Sequence, residues 1–332
     1  MSTPVVLGLD FGGTKVAAAV ASADGRRLGA ATVATDPSRG ARWNLEHGIG
    51  AALRLLDDIA PGLPPVAVAA TTFGIPGTSG VALAPAIPGW EELALGRELA
   101  LAFECDTVQV VTDVKAAATV EARDGALAGH DPGLYLNLGT GLAAAIVSGG
   151  RVLAGANGAA GEIGYNLLRS GGDGETSMLE HLVSGIGLAA TANRRAGGTL
   201  TAEEVFLQAE ANPELARLVD EFVQELGFHL VNLAVAVDPS RIAVGGGMVR
   251  SWPRLEGPLR RTLHESMPFP PDLVVGAYPY DAALVGAVSL AVDAATAVGR
   301  AGAHDNRMGA RTRPKSITIE SAVAGRPRRD RT

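Results

Sequence analysis

Residues 7–26, LGLDFGGTKVAAAVASADGR, and residues 134–151, LYLNLGTGLAAAIVSGGR, run through the same order of features. Each has an apolar strand, a polar residue, a glycine–threonine turn, an Ala/Val strand and a glycine turn. A repeat separated by this much chain marks two related halves rather than a short tandem array. Two apolar runs joined by a glycine-rich turn read as a β-hairpin. Gly12-Gly13-Thr14-Lys15 is not a P-loop, because the GxxxxGK[ST] spacing is missing. It is not a dinucleotide fingerprint either, because a strand rather than a helix follows it.

Working outward, Asn44 to Ile59 carries apolar residues at helical spacing, Val66 to Thr72 reads as a strand, and Glu91 to Phe103 as a helix. Val108 to Thr112 is a short strand delivering Asp113 to its end, and Val114 to Ala128 continues as an alanine-rich helix. The second half adds helices near 177–196, 201–211 and 213–237, a strand 241–244 ending in Gly245-Gly246-Gly247, and a final helix 282–298. Strands alternating with helices give an α/β fold class.

The 332 residues are 47% hydrophobic and 19% charged, a globular composition long enough for two domains. The 43 glycines have no three-residue period, which excludes a collagen-like chain. Cys105 is the only cysteine, which excludes a disulfide scaffold and a multi-cysteine zinc cage, and it reads as an inert thiol. No basic segment precedes an apolar one at the N-terminus, and no stretch reads as the ~18 apolar residues of a membrane span, so a cytoplasmic protein is expected. Residues 299–332 hold nine Lys or Arg against three acids, leaving the body at −13 of the total −7. So acidic a body argues against nucleic-acid binding, which needs clustered cations. The basic tail reads as a disordered terminus.

The segments LGLDFGGTK, FGIPG, APAIPGW, TDVKAAATVEA, LGTG, GANGAAGEIGY, MLEHLVSG and IAVGGGMV, in this order, resemble the sugar-kinase and actin ATPase superfamily. Within it they resemble the ROK family of repressors, open reading frames and sugar kinases, over about residues 5–297. The resemblance implies a two-lobed actin-like, ribonuclease H-like fold with a duplicated βββαβα core and an interlobe cleft. Residues 1–112, completed by the helix 282–298, would form one lobe and 113–281 the other. It also implies ATP with Mg²⁺ as cofactors and a homodimer.

Gly12, Gly13 and Thr14, and again Gly139, Thr140 and Gly141, can turn backbone N–H groups toward a polyphosphate, or they are ordinary hairpin turns. Asp10 suits Mg²⁺, directly or through water; Lys15 either adds charge near the phosphates or is solvated. Gly245, Gly246 and Gly247 match the family's adenosine segment. Asp113 matches the family's catalytic base, which takes the proton of the attacking sugar hydroxyl, and it also suits a helix N-cap. Glu162 and Glu180 match carboxylates that accept sugar hydroxyls, with a salt bridge as the alternative; Gly74 belongs to the sugar loop.

Several positions depart from the family pattern. Thr112 and Ala86 stand where glucose kinases carry asparagines that read the ring around C3 and C4. Tyr165 replaces a histidine that touches sugar and ligates zinc. The zinc cysteines are missing from Gly171–Met178, which implies no zinc site. Lys115 also replaces an asparagine and faces either pocket or solvent.

The expected activity is therefore phosphorylation of the exocyclic primary hydroxyl of a hexose-like ring. The changed ring readers favour a modified sugar or cyclitol, of the kanosamine or C7-cyclitol type found in actinobacterial antibiotic pathways. An ordinary glucokinase or N-acyl-hexosamine kinase is the alternative, and a non-catalytic sugar-binding protein a further one. A ROK-type repressor is disfavoured, because the first strand begins within a few residues of Met1 and no helix-turn-helix precedes it.

Overall fold

The structure is a computed structural model and describes residues 4–168 and 178–309. The first half runs β1 (Val5–Phe11), β2 (Lys15–Ser22), β3 (Arg27–Ala34), α1 (Gly40–Ile59), β4 (Ala67–Thr72), the small hairpin β5 (Ile75–Pro76) and β6 (Val81–Ala82), α2 (Leu95–Ala102) and β7 (Val108–Thr112). Helix α3 (Asp113–Asp124) leads to β8 (Gly133–Leu138), β9 (Leu142–Ser148) and β10 (Arg151–Val152). The chain continues through α4 (Gly185–Ala196), α5 (Ala202–Gln208), α6 (Pro213–Val237), β11 (Arg241–Gly245), α7 (Trp252–Ser266), β12 (Asp272–Val275) and α8 (Ala282–Gly309).

The two halves repeat one topology. The sheets have the orders β3-β2-β1-β4-β7 and β10-β9-β8-β11-β12. In each, three antiparallel strands are followed by two that run parallel to the central one. The glycine–threonine turns join β1 to β2 and β8 to β9, as the repeat requires.

Each sheet buries both faces. On the first, Leu7, Leu9 and Phe11 pack with Leu45, Leu56 and Leu99 of α1 and α2, while Val6, Ala17, Ala19 and Ala67 meet Leu284, Val288 and Ala291 of α8. The small side chains of β2 and β4 let α8 lie close. On the second, α4 to α7 cover one face and α3 the other. Of the described residues, those to Ala295 form one compact unit and those from Thr296 a second.

Several elements differ from expectation. Glu91–Phe103 is not one helix but a 3-10 turn over Trp90–Glu92 followed by α2. The Trp90 indole is buried and donates to the Thr72 hydroxyl at 2.9 Å, which fixes the turn apart from the helix. Helix α3 stops at Asp124, where Gly125 lets the Glu121 carboxylate fold back onto the Ala126 N–H at 2.7 Å. Helix α4 begins at Gly185, capped by the Ser184 hydroxyl. Helix α8 runs on to Gly309, past the expected start of the tail at 299; residues 310–332 lie outside the described part. Ala282–Arg300 is also long and apolar enough to cross a membrane by length and composition, which corrects the expectation that no stretch is. Its buried Leu284, Val288 and Ala291 pack on the first sheet, and Ala282 packs with α3 and the second.

Helices α3 and α8 cross at Gly286, where a Cβ would fall far inside contact with the Ala116 carbonyl. Glycine to alanine in a helix ordinarily gains about 1 kcal/mol. Gly286→Ala is expected to reverse that sign and cost about 1–3 kcal/mol through overpacking against backbone, read as a lower melting temperature.

Candidate active site

The carboxyl ends of the parallel strands in both sheets carry the candidate residues, the usual place for ligands in α/β folds. Asp10 lies near the end of β1, opposite Thr71 of β4. Asp113 follows β7, Gly139 follows β8, and Gly245 closes β11. The first glycine turn is tight: the Gly12 N–H donates to the Lys15 carbonyl at 2.9 Å. Thr35 braces it, its hydroxyl donating to the Gly12 carbonyl at 2.9 Å and its N–H to the Thr14 carbonyl at 3.0 Å. Gly13, Thr14 and Lys15 are left exposed.

Thr112, not Asp113, is the N-cap of α3. Its hydroxyl accepts the Lys115 N–H at 3.3 Å, and at 3% exposure it is turned inward. The capping role considered for Asp113 thus falls to Thr112. Asp113 Oδ1 accepts its neighbour's N–H, from Val114, at 2.9 Å. Asp113 keeps some surface open to the cleft but is packed round by protein, and burial, then the charge of Asp10, push its pKa up to about 7. Glu162 adds to the rise. Burial also raises Asp10, against the Thr71 hydroxyl that donates to its Oδ1 at 2.6 Å and the charge of Lys15.

Glu162 and Glu180 sit beyond Asp113. Burial raises the pKa of Glu162, opposed by Lys115 and assisted by Glu180. The Lys115 side chain is largely buried, and its Nζ lies 3.4 Å from Glu162 Oε1. The charges that act on Asp113 are those of Asp10 and Glu162. Glu180 Oε2 accepts the Leu142 N–H at 2.9 Å, and a Cβ at Gly141 would lie 2.5 Å from that oxygen. The second glycine turn and Glu180 thus form one unit. Tyr165, 38% exposed, is raised by burial and then by Glu180, Glu162 and Glu91.

Of the expected residues, Lys15, Asp10, Asp113, Glu162, Glu180, Gly141, Gly139, Gly246 and Gly247 form a continuous series of neighbours. Ala86 lies exposed on the loop between β6 and α2 that was expected to meet the sugar. Gly74, at φ +77°, turns the chain into β5, where a Cβ would meet the Ala82 carbonyl at 2.6 Å. Trp90 pins the loop that carries Ala86, stacked on Phe73 with ring centroids 5.1 Å apart.

Sequence reasoning missed four residues here. Thr35, just after β3, supports the first turn and Thr71 of β4 supports Asp10, contacts no local pattern announces. Glu91, directly after APAIPGW, accepts the Ala84 N–H at 3.1 Å and acts on Tyr165. Asn137 was findable, because the repeat sets it where the first copy has Asp10. Its Oδ1 lies against Gly246, 2.8 Å from where a Cβ would stand.

A cavity of about 450 Å³ opens beside Gly139, Thr140 and Gly247. Ile186, Phe206 and Met248 give it apolar surface, and Thr201, Glu203 and Arg250 line it with polar groups. The Gly185 N–H donates to the Gly139 carbonyl at 2.9 Å, docking α4 on the turn. An apolar slot of this size ending at bare glycine backbone fits a nucleoside with its phosphates on the turns. Asp10, close enough to raise the proton affinity of Asp113 and with Lys15 as its nearby cation, fits with Asp113 a divalent cation held against the phosphates. Among the described residues no three His, Cys, Asp or Glu gather as a metal cage; residues 171–177 of the segment read as zinc-free lie outside that set.

The ROK family profile matches residues 6–294. The chain belongs to the ROK family. It is 35% identical over 295 residues to the bifunctional enzyme NanE/NanK of Brucella melitensis biotype 1, covering 87% of this chain and 54% of that protein. The chain thus spans about half the length of that relative. It is 30% identical over 292 residues to the N-acetylmannosamine kinase of Escherichia coli O157:H7, covering 86% and 97%. Among solved structures, a ROK family glucokinase from Streptomyces griseus in complex with glucose and AMPPNP superposes with a TM-score of 0.72 at 28% identity, covering 86% and 99%. The two-lobed ROK fold explains why both sheets present their carboxyl ends to one cleft.

Proposed function

We infer that this ROK protein is an ATP-dependent kinase acting on the exocyclic primary hydroxyl of a hexose or hexose-like ring. The observation that carries this reading is Asp113, held at the end of β7 between Asp10 and Glu162 with its proton affinity raised to about 7. A base tuned near neutral pH gives up and takes a proton with little driving force lost. ATP with Mg²⁺ would supply the transferable phosphoryl group and neutralise its charge. The turns at Gly12–Lys15 and Gly139–Gly141 bind that group, and Asp10 and Lys15 flank it. Asp113 Oδ2 takes the proton of the attacking hydroxyl, while Glu162 and Glu180 accept ring hydroxyls and orient the sugar. Lobe closure, with residues 1–112 plus 282–298 moving against 113–281, excludes water.

Ala86 and the inward-turned Thr112 remove two polar readers from the ring's C3 and C4 side. This supports a modified ring, of the kanosamine or C7-cyclitol kind made in antibiotic biosynthesis, over glucose. The second reading, a glucokinase or N-acyl-hexosamine kinase, is favoured by the kinship with N-acetylmannosamine kinases. A cytoplasmic location, where ATP is held, belongs to the proposal. So does a homodimer, supported by the exposed Leu167, Phe228 and Val235 at 62%, 58% and 64%.

The test is ADP release with Mg²⁺ across glucose, mannose, N-acetylmannosamine, kanosamine and a C7-cyclitol. Turnover confined to the last two is the expected result. Preference for glucose or N-acetylmannosamine would keep the kinase and remove the modified ring.

A further inference from the structure

A second cleft lies where the edge strands of the two sheets, β7 and β10, approach across α3. It encloses about 500 Å³ and is lined by Gln109 of β7, Arg151 of β10, and Lys115, Thr119 and Arg123 of α3, with Asp293 of α8 at one end. Lys115, Thr119 and Arg123 recur at helical spacing, so one face of α3 forms its floor. Neither glycine turn nor the nucleotide cavity contributes a residue to it.

Its charges are incompletely matched. Arg123 is engaged by Ser289 and Asp293. Arg151 is exposed and makes no ion pair among the described residues. Lys115 is the unusual member: its side chain is 9% exposed, yet its ion-pair partner, Glu162 Oε1, stands at 3.4 Å. Charge-assisted N–H···O bonds are ordinarily about 2.7–2.9 Å, and an ammonium has three protons to place. A buried cation with one long bond is short of acceptors. An oxyanion in the cleft would supply them and pair Arg151 as well.

We propose that this cleft binds a compact phosphorylated metabolite, its phosphoryl oxygens between Arg151 and Lys115, as an inhibitor of the kinase. The enclosed volume suits a small molecule rather than a polymer. Two consequences run in the same direction. An anion that takes Lys115 from Glu162 removes the ion-pair partner that holds that carboxylate in place, and so disturbs a group proposed to accept sugar hydroxyls. An occupant touching β7 and β10 also resists relative movement of the lobes. Anion and sugar therefore weaken each other's binding reciprocally.

The binding claim stands on the cleft alone, whereas inhibition rests on the kinase reading, so the test has two arms. In the first, inorganic pyrophosphate is titrated into the full chain by calorimetry at fixed free Mg²⁺, with saturating AMP-PNP holding the nucleotide turns. One site per chain is expected, weakened at least ~10-fold by charge reversal in Arg151→Glu and also weakened in Gln109→Glu, with AMP-PNP affinity unchanged in both. Equal pyrophosphate affinity in wild type and Arg151→Glu, no binding, or competition with AMP-PNP would overturn the site. In the second arm, pyrophosphate is expected to raise the sugar KM of the wild type and not that of Arg151→Glu; an equal rise in both overturns the inhibition. Absence of turnover before pyrophosphate is added would fault the kinase reading and leave the first arm to decide the site.

Discussion

Asp113→Asn is expected to lower phosphotransfer by about 10²–10⁴, the usual cost of losing a positioned base, and at the same time to stabilise the fold above neutral pH. The second effect follows from the proton balance. The native carboxyl titrates at about 7, lifted by burial and by Asp10, against an ordinary value of 3.8. Between these values the native state holds a proton that the unfolded chain has released, so stability falls as pH rises from about 4 to 7 and stays lost above it. Asparagine carries no such charge. Its advantage should be small near pH 4, grow through neutrality and level off above pH 7 at roughly 4 kcal/mol at most. Urea unfolding of both proteins, free of nucleotide and Mg²⁺, at several pH values checks this. A difference that does not change with pH would mean that Asp113 is not held in an unfavourable environment. In the wild type, the same group predicts kcat/KM rising with pH through an apparent value of about 7, as the base loses its proton.

Glu121→Ala is expected to bring the protein close to unfolding without touching the cleft. Glu121 is fully buried, and its carboxylate accepts three backbone N–H groups, from Ala126 at 2.7 Å, Ala277 at 3.0 Å and Tyr278 at 2.8 Å. The acceptors tie the end of α3 to the segment that leads from β12 into α8. Each buried donor left unmet costs about 1–3 kcal/mol, and a typical domain has only about 5–15 kcal/mol of stability in all. Glu121→Gln keeps one acceptor oxygen and should fall between. Thermal unfolding of the three proteins gives the order, and an alanine variant melting with the wild type would show that water reaches those donors.

Glu121 also shows where reading along the chain stops. In TDVKAAATVEA it looks like any acid on a helix surface, and nothing local says that a loop more than 150 residues later supplies its partners. Lys115 is a similar case. Its spacing allowed pocket or solvent, and only the placement of Glu162, 47 residues further along the chain, showed that its side chain is buried against a carboxylate. Helix α7 was missed because a polar segment broken by Pro253 and Pro258 buries just Leu255, Leu259 and Leu263. Strand β3 alternates between half-buried and exposed residues, too weak a pattern to stand out.

The sequence by itself determined the duplicated hairpins, the α/β order, the strand that ends at Asp113 and the two glycine–threonine turns. These are local matters: apolar periodicity and glycine backbone freedom act over a few residues, and the repeat doubles the signal. Tertiary structure alone decided which acids share a field, that Thr112 turns inward as a cap, that Thr35 supports the first turn and Thr71 supports Asp10, and that a second cationic cleft forms between β7 and β10. Burial and charge act through space, over distances that separation along the chain does not measure, so proton affinities and the second cleft exist only once both sheets are in place.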